Sequence, residues 1–223
     1  MLLMKQPLKS EDELLDRCKA IEGLSFAQLA TELGLSIPEH PLKRKGFVGQ
    51  AIELALGTTA GCQSSPDFCA LGIELKTLPI NHLGKPAEST FITSIPLLTI
   101  HNQVWETSQC YAKLKRVLWL PIEGSRDIPF SHRRIGCGIL WSPSLHDEEV
   151  LAKDWTDLTF MMSTGKLAEV DASMGDYIQV RPKAANGKSL CYGFDESGNK
   201  IQTMPRGFYL RSRFTAKILN SES

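Results

Sequence analysis

The chain has 223 residues, 42% of them hydrophobic and 22% charged, and its 25 acidic and 25 Lys or Arg residues cancel to a formal charge of zero. These proportions are ordinary for a soluble globular protein, and the length can bury a sizeable core as one large domain or two lobes. No apolar run reaches the ~18–20 residues of a membrane span, so no membrane partner and a cytoplasmic location are expected.

The six cysteines (18, 62, 69, 110, 137, 191) contain no Cys-x-x-Cys. Their spacing suits neither zinc nor a disulfide frame, so reduced thiols are expected. The start Met1-Leu2-Leu3-Met4-Lys5 is too short for a secretory core. Zero net charge by itself argues against a nucleic-acid partner, but its distribution does not. Residues 144–176 hold eight acids against Lys153 and Lys166, whereas 178–217 hold eight basic residues against Asp195 and Glu196. Such segregation can present a basic face to a polyanion.

Along the chain, Ser10 with Glu13 and Ser25 with Gln28 read as capping boxes, opening helices near 11–21 and 26–33, with Gly34 as a stop for the second. Lys43-Arg44-Lys45-Gly46 leads into an apolar helix over 47–56 ended by Gly57. Glu53 is the only acid in that helix; it lies either on a narrow wet stripe or buried with a partner. A Thr, Ser and Gly-rich loop (58–66) follows, then a central strand. Residues 81–85 read as a turn and 89–96 as a second strand, so a hairpin is expected. The continuous apolar run 117–122 marks a buried strand. A helix near 147–163 and later strands over 177–180 and 207–213 complete the order. Helices and strands mix without the βαβ spacing or Gly-rich turn of a nucleotide-binding fold, implying a mixed α/β chain around one sheet.

The segment Ser65-Pro66-Asp67-Phe68-Cys69-Ala70-Leu71-Gly72-Ile73-Glu74-Leu75-Lys76 carries the most chemistry. Leu71, Ile73 and Leu75 alternate with Gly72, Glu74 and Lys76, so Glu74 and Lys76 share a strand face. A short excursion from Asp67 brings a second carboxylate beside them. Two carboxylates and an ammonium suit Mg²⁺ plus a water able to attack phosphorus, with Lys76 orienting that water or offsetting charge on the phosphate. The acid-x-lysine pattern alone also fits an edge strand with a solvated Glu and Lys.

Six ordered blocks narrow the choice: Lys45-Gly46 with Gly49 and Glu53; Asp67-Phe68 through Lys76; Trp105-Glu106-Thr107-Ser108; Lys113 through Trp119; Arg181-Pro182-Lys183-Ala184-Ala185-Asn186; and Pro205-Arg206-Gly207-Phe208-Tyr209-Leu210. In their order and spacing, from about residue 10 to 215, the chain resembles the MutH family, the nicking endonucleases of methyl-directed DNA mismatch repair. The resemblance implies a restriction endonuclease-like α/β fold, a mixed sheet flanked by helices, with two lobes around a DNA-binding cleft. It implies a single endonuclease domain over 1–223, with approximate lobes 10–103 (catalytic) and 104–223 (recognition and activator contact). It further implies Mg²⁺-dependent cutting of the unmethylated strand 5′ to the G of hemimethylated or unmethylated GATC, with Mn²⁺ or Ca²⁺ as alternative occupants of the metal site. The implied partners are double-stranded DNA containing GATC, MutL as activator and, indirectly, MutS. By position, Asp67, Glu74 and the Leu75 carbonyl would hold metal, Lys76 would serve the water, and Glu53 would complete the acidic cluster.

The remaining basic residues have competing readings. Residues 43–45 are a solvated run or, with Gly46 allowing close backbone approach, a DNA loop in which Lys45 and Gly46 make the contact. Lys113 lies on the surface or reaches the scissile phosphate. Arg181, before the backbone-fixing Pro182, suits a bidentate contact to guanine O6/N7. Strand alternation places Tyr209 on a face with Arg211 and Arg213, opposite Phe208 and Leu210, where it could sense a methyl on adenine N6. A monomer is expected, because one site cuts one strand. The competitors are a stand-alone restriction endonuclease of related fold and a catalytically inactive DNA-binding module.

Overall fold

The computed structural model describes residues 8–58, 65–183 and 189–220, with Lys45 described by its backbone only. Expectations that fall on 1–7, 59–64, 184–188 and 221–223 lie outside these residues: the amino terminus, Cys62, most of the 58–66 loop, and Ala184, Ala185 and Asn186.

The first two helices start where their caps predict. In α1 (Glu11–Ile21) the Ser10 hydroxyl accepts from the Glu13 N–H, and Glu11, Asp12 and Glu13 place negative charge at the positive helix end. Leu14, Cys18 and Ile21 then fall on one buried stripe. In α2 (Phe26–Leu33) the reciprocal Ser25–Gln28 capping box is complete, and Gly34 closes the helix at φ +66°. The third helix, α3 (Pro41–Leu56), begins earlier than residue 47. Positive charge in a first turn opposes the helix dipole, which makes 43–45 read as a loop. Here Pro41 supplies the preset φ, and the His40 ring nitrogen accepts from the Leu42 N–H, and the helix forms through the basic run.

Eight strands follow among the described residues: β1 (Glu74–Ile80), β2 (Thr90–Ser94), β3 (Val117–Glu123), β4 (Ile139–Trp141), β5 (Ile178–Pro182), β6 (Cys191–Phe194), β7 (Lys200–Thr203) and β8 (Arg206–Leu210). They form three sheets rather than the expected one: β1-β3-β4, β2-β8-β5 and the β6-β7 hairpin. Helices α4 (Gln109–Ala112), α5 (Leu145–Ser163) and α6 (Ser212–Asn220) complete the regular structure beside short 3₁₀ turns.

The expected hairpin between the central strand and 89–96 does not form. The 81–85 turn does: Asn81 N–H donates to the Lys85 carbonyl, and the Asn81 side chain accepts from the Leu83 and Lys85 N–H groups. The return strand makes a single Ile80–Pro86 bridge, flanked by the Asn81–Lys85 bond and by the Ala87 N–H donating to the Pro79 carbonyl, and it goes no further, because Pro79 has no N–H to return a bond to Ala87. Instead β1 pairs in parallel with β3, Glu74 opposite Val117, and β2 pairs antiparallel with β8. Strand β3 is buried from Val117 through Ile122, as its unbroken apolar run requires.

The chain divides into two compact units, and each recruits segments from both sides of the other in sequence. Residues up to Ala87 with Arg116–Trp141 form the first; Glu88–Lys115 with residues from Ser142 on form the second. The first unit's core packs α1, α2 and α3 with Ile73, Leu75, Leu118 and Leu120. In the second, Ile92, Ile178, Val180, Phe208 and Leu210 form the buried face of β2-β8-β5. All five described cysteines are free thiols.

Candidate active site

In the first unit, a tight reversal places Asp67. Phe68 and Ile73 form a bridge, the Phe68 N–H donating to the Ile73 carbonyl at 2.9 Å, and Gly72 turns at φ +67°. That positive φ ends the alternation read from Leu71, so β1 begins only at Glu74. The reversal carries Asp67 back along the strand, where its Oδ2 accepts from the Leu75 N–H at 2.8 Å. Glu74 and Lys76 share a face as expected: Lys76 Nζ donates to Glu74 Oε1 at 2.6 Å. The Glu74 side chain is 3% exposed and that of Lys76 14%, so neither charge is freely solvated. From α3, Glu53 is solvent-exposed along its side chain. Its carboxyl pKa is nevertheless raised, by desolvation first and then by the negative charges of Asp67 and Glu74. The charges of Asp67 and Glu74 are therefore close enough to act on Glu53 from α3, and the Lys76 ammonium is paired with Glu74.

Among the described residues, no three His, Cys, Asp or Glu side chains are gathered tightly enough to form a ready-made metal cage. Mg²⁺ does not need one: it retains several waters and binds through one or two carboxylates plus substrate phosphate. The donors fit that kind of site, with Asp67 pinned through Leu75 and Glu74 held by Lys76.

The second unit holds the other predicted residues. Arg181 and Pro182 lie within β5 rather than after it, and the strand is at a sheet edge, where proline costs no ladder bond. Tyr209 projects from β8 opposite the buried side chains of Phe208 and Leu210, as alternation predicts. Its ring packs edge-on to Phe91 at 5.3 Å between centroids, and the Arg181 guanidinium lies 5.9 Å from the Tyr209 ring centre. Arg181 also donates to the Ser89 hydroxyl at 2.7 Å, while Lys183 Nζ sits 3.0 Å above the Phe91 ring. Burial raises the Tyr209 phenol pKa, partly offset by Arg181. A cation-rich aromatic surface results, built from β2, β8 and β5.

Over 97% of this chain and 96% of its counterpart, it is 46% identical to the DNA mismatch repair protein MutH of Vibrio campbellii. It is 48% identical to that of Histophilus somni over 96% of each chain, and 49% identical to that of Pasteurella multocida over 95% of each. The chain belongs to the MutH family. The family model described as DNA mismatch repair enzyme MutH matches residues 56–154. Membership makes the mixed α/β architecture restriction endonuclease-like and the protein an enzyme of DNA repair. Among the described residues, no helix is long and apolar enough to cross a membrane.

For a MutH-family chain, several sequence expectations need revision. Arg211 and Arg213 do not share a strand face with Tyr209, because β8 ends at Leu210 and Arg213 lies in α6. Arg211 donates to the carbonyls of Ala172, Met174 and Gly175, and Arg213 to the carbonyl of Asp176. Arg206 donates to the Val170 carbonyl and Lys217 to Asp147. Half of the eight basic residues in 178–217 thus bind the neighbouring 144–176 segment, mostly through its backbone carbonyls. In α3, Arg44 donates to the Pro38 carbonyl and lies 5.4 Å from the centre of the Phe130 ring, whereas Lys43 is exposed. Gly46 is helical, with open space where a Cβ would stand. Lys113 is 8% exposed and caps the carboxyl end of α4, in the second unit.

Sequence reasoning missed Ser89, Phe91, Lys183 and Gly207 in the aromatic surface. A Cβ on Gly207 would lie 2.9 Å from Phe91 Cε2 and 3.2 Å from Tyr209 Cε2, so this glycine makes room for both rings. A glycine inside a strand pattern is the signal that could have found it.

Proposed function

We propose that this MutH-family enzyme is a Mg²⁺-dependent endonuclease that nicks the unmethylated strand 5′ to the G of hemimethylated or unmethylated GATC sites. It acts as a monomer in mismatch repair, with MutL as activator and MutS acting indirectly. The observation that carries this reading is the convergence of Glu53, Asp67, Glu74 and Lys76 in one unit.

A Mg²⁺ bound by Asp67, Glu74 and the Leu75 carbonyl would polarise the scissile phosphate and lower the pKa of a bound water. The chain's own contributions follow from geometry. Asp67 is fixed by the Leu75 N–H, which gives its carboxylate a set direction. Lys76 is held at 2.6 Å from Glu74, and from there its ammonium would orient an attacking water and offset charge that builds on phosphate. Glu53 takes up a proton more readily than an ordinary glutamate, which suits a group beside a water that must lose one. In the second unit, the Arg181 guanidinium matches guanine O6 and N7, and Tyr209 suits the adenine N6 edge, where methylation removes a donor and adds bulk.

Supercoiled plasmids with and without GATC, unmethylated or methylated, incubated with Mg²⁺ and with or without MutL, test this reading. Nicking confined to unmethylated GATC is expected. Asp67→Asn and Glu74→Gln should abolish nicking while leaving DNA affinity within about threefold, since affinity rests on phosphate contacts. Normal nicking by either variant removes the metal-site assignment.

A further inference from the structure

The Arg181 side chain starts from the edge strand β5, yet its hydrogen-bond partner lies beyond the central strand of the same sheet. In the order β2-β8-β5, Arg181 is opposite Gly207, and the guanidinium passes over Tyr209 to reach Ser89, the residue just before β2. Opposite Arg181, a Cβ at 207 would press on the Phe91 and Tyr209 rings, so this glycine lets Tyr209 lie where the guanidinium passes over it. Ser89 Oγ accepts from Arg181 NH1 at 2.7 Å, which occupies one terminal nitrogen and fixes the plane of the fork.

We propose that Ser89 is a positioning residue for base readout: it acts through Arg181, presetting the guanidinium plane so that its remaining N–H groups meet a guanine edge without prior ordering. A long arginine otherwise keeps considerable rotamer freedom, and losing it on binding weakens each contact; a fork held in place before DNA arrives loses less. The hydroxyl must act as an acceptor, so alanine removes the effect and threonine retains it. The inference rests on the reading of Arg181 as a base-reading residue.

Equilibrium binding of the full chain to labelled duplexes tests it, comparing a GATC site with the same duplex carrying adenine in place of the site's guanine. Arg181→Ala should lower the preference for guanine by about 10- to 100-fold. Ser89→Ala should lower it by about 3- to 10-fold, the net worth of an ordinary hydrogen bond, because Ser89 acts only through Arg181. Ser89→Thr should keep it, and Ser89→Ala combined with Arg181→Ala should be no worse than Arg181→Ala alone. If Arg181→Ala loses the preference but Ser89→Ala does not, the role of Ser89 is overturned and the reading of Arg181 stands. A Ser89→Ala loss that is equal on both duplexes, or accompanied by a lower Tm, makes Ser89 a structural residue and overturns the proposal. If Arg181→Ala itself keeps the preference, the reading of Arg181 fails and Ser89 falls with it.

Discussion

Asp154 offers the sharpest test of how the second unit supports its aromatic surface. The residue is 2% exposed on α5, and its carboxylate accepts from the N–H groups of Asp176 at 2.9 Å, Tyr177 at 2.6 Å and Ile178 at 2.9 Å. The same loop presents its carbonyls to Arg211, so opposite charges grip the two polarities of one backbone segment. Gly175 makes the turn at φ +78°, where a Cβ would lie 2.0 Å from the Ile178 carbonyl oxygen. Strand β5, and with it Arg181, starts from this knot. Asp154→Ala would strand three N–H donors. A hydrogen bond to a charged acceptor is worth about 1.5–3 kcal/mol, which sets a ceiling of about 9, and water reaching the freed donors lowers the expected loss to about 3–5 kcal/mol. Asp154→Asn keeps the volume but turns one acceptor into a donor, for an expected loss of about 2 kcal/mol. Urea unfolding followed by circular dichroism, with amide exchange at Tyr177 and Ile178, measures both. The exposed Asp157→Ala, one turn away, is the control and should change little. If Asp154→Ala stays within about 1 kcal/mol of the parent, the carboxylate does not hold the loop and the reasoning fails.

Three further predictions concern the same unit. Tyr209→Ser should bring nicking of the methylated strand toward that of the unmethylated strand, because the space a methyl would clash with is opened; an unchanged ratio of the two rates places the sensor elsewhere. In Gly207→Ala, the added Cβ at 2.9 Å from the Phe91 ring must displace it, so about 1–3 kcal/mol of stability and part of the GATC preference should be lost together. A denaturation midpoint equal to the parent's contradicts that. Asp147 is held below the ordinary aspartate pKa: burial pulls it upward, but hydrogen bonds from Lys217 and Ser144 outweigh burial. A depressed carboxyl binds fewer protons folded than unfolded, so its stabilisation is full above the ordinary value of about 3.9 and is lost as pH falls through the folded value. Asp147→Asn should therefore narrow the stability gap between neutral pH and that acid window, and an unchanged acid-side slope refutes the link.

The local elements were legible because their signals are local. Capping residues set the starts of α1 and α2, and Gly34 and Gly57 set the ends of α2 and α3, since each satisfies or releases backbone groups within one turn. Period-two spacing put Glu74 and Lys76 on one face and Tyr209 opposite Phe208, because pleating fixes side-chain direction whatever the partner strand. Where a basic residue's charge goes was not legible. Arg44, Arg206, Arg211 and Arg213 look available for phosphate in the sequence, yet each finds a carbonyl, and carbonyl partners leave no mark in composition.

Strand partnership was decided only by tertiary structure. The 81–85 turn specifies a reversal, but Pro79 lacks the N–H that would continue the ladder, and the choice of β3 for β1 and β8 for β2 depends on which distant apolar faces need covering. The approach of Glu53 to Asp67 and Glu74 likewise needs α3 to pack beside a reversal whose Gly72 turns at φ +67°. The sequence by itself determined which side chains are candidates for the chemistry, through spacing on single elements and an ordered set of blocks. Packing between elements far apart in the chain decided which of those side chains stand together, because side-chain direction is fixed within a strand or helix and proximity between elements is not.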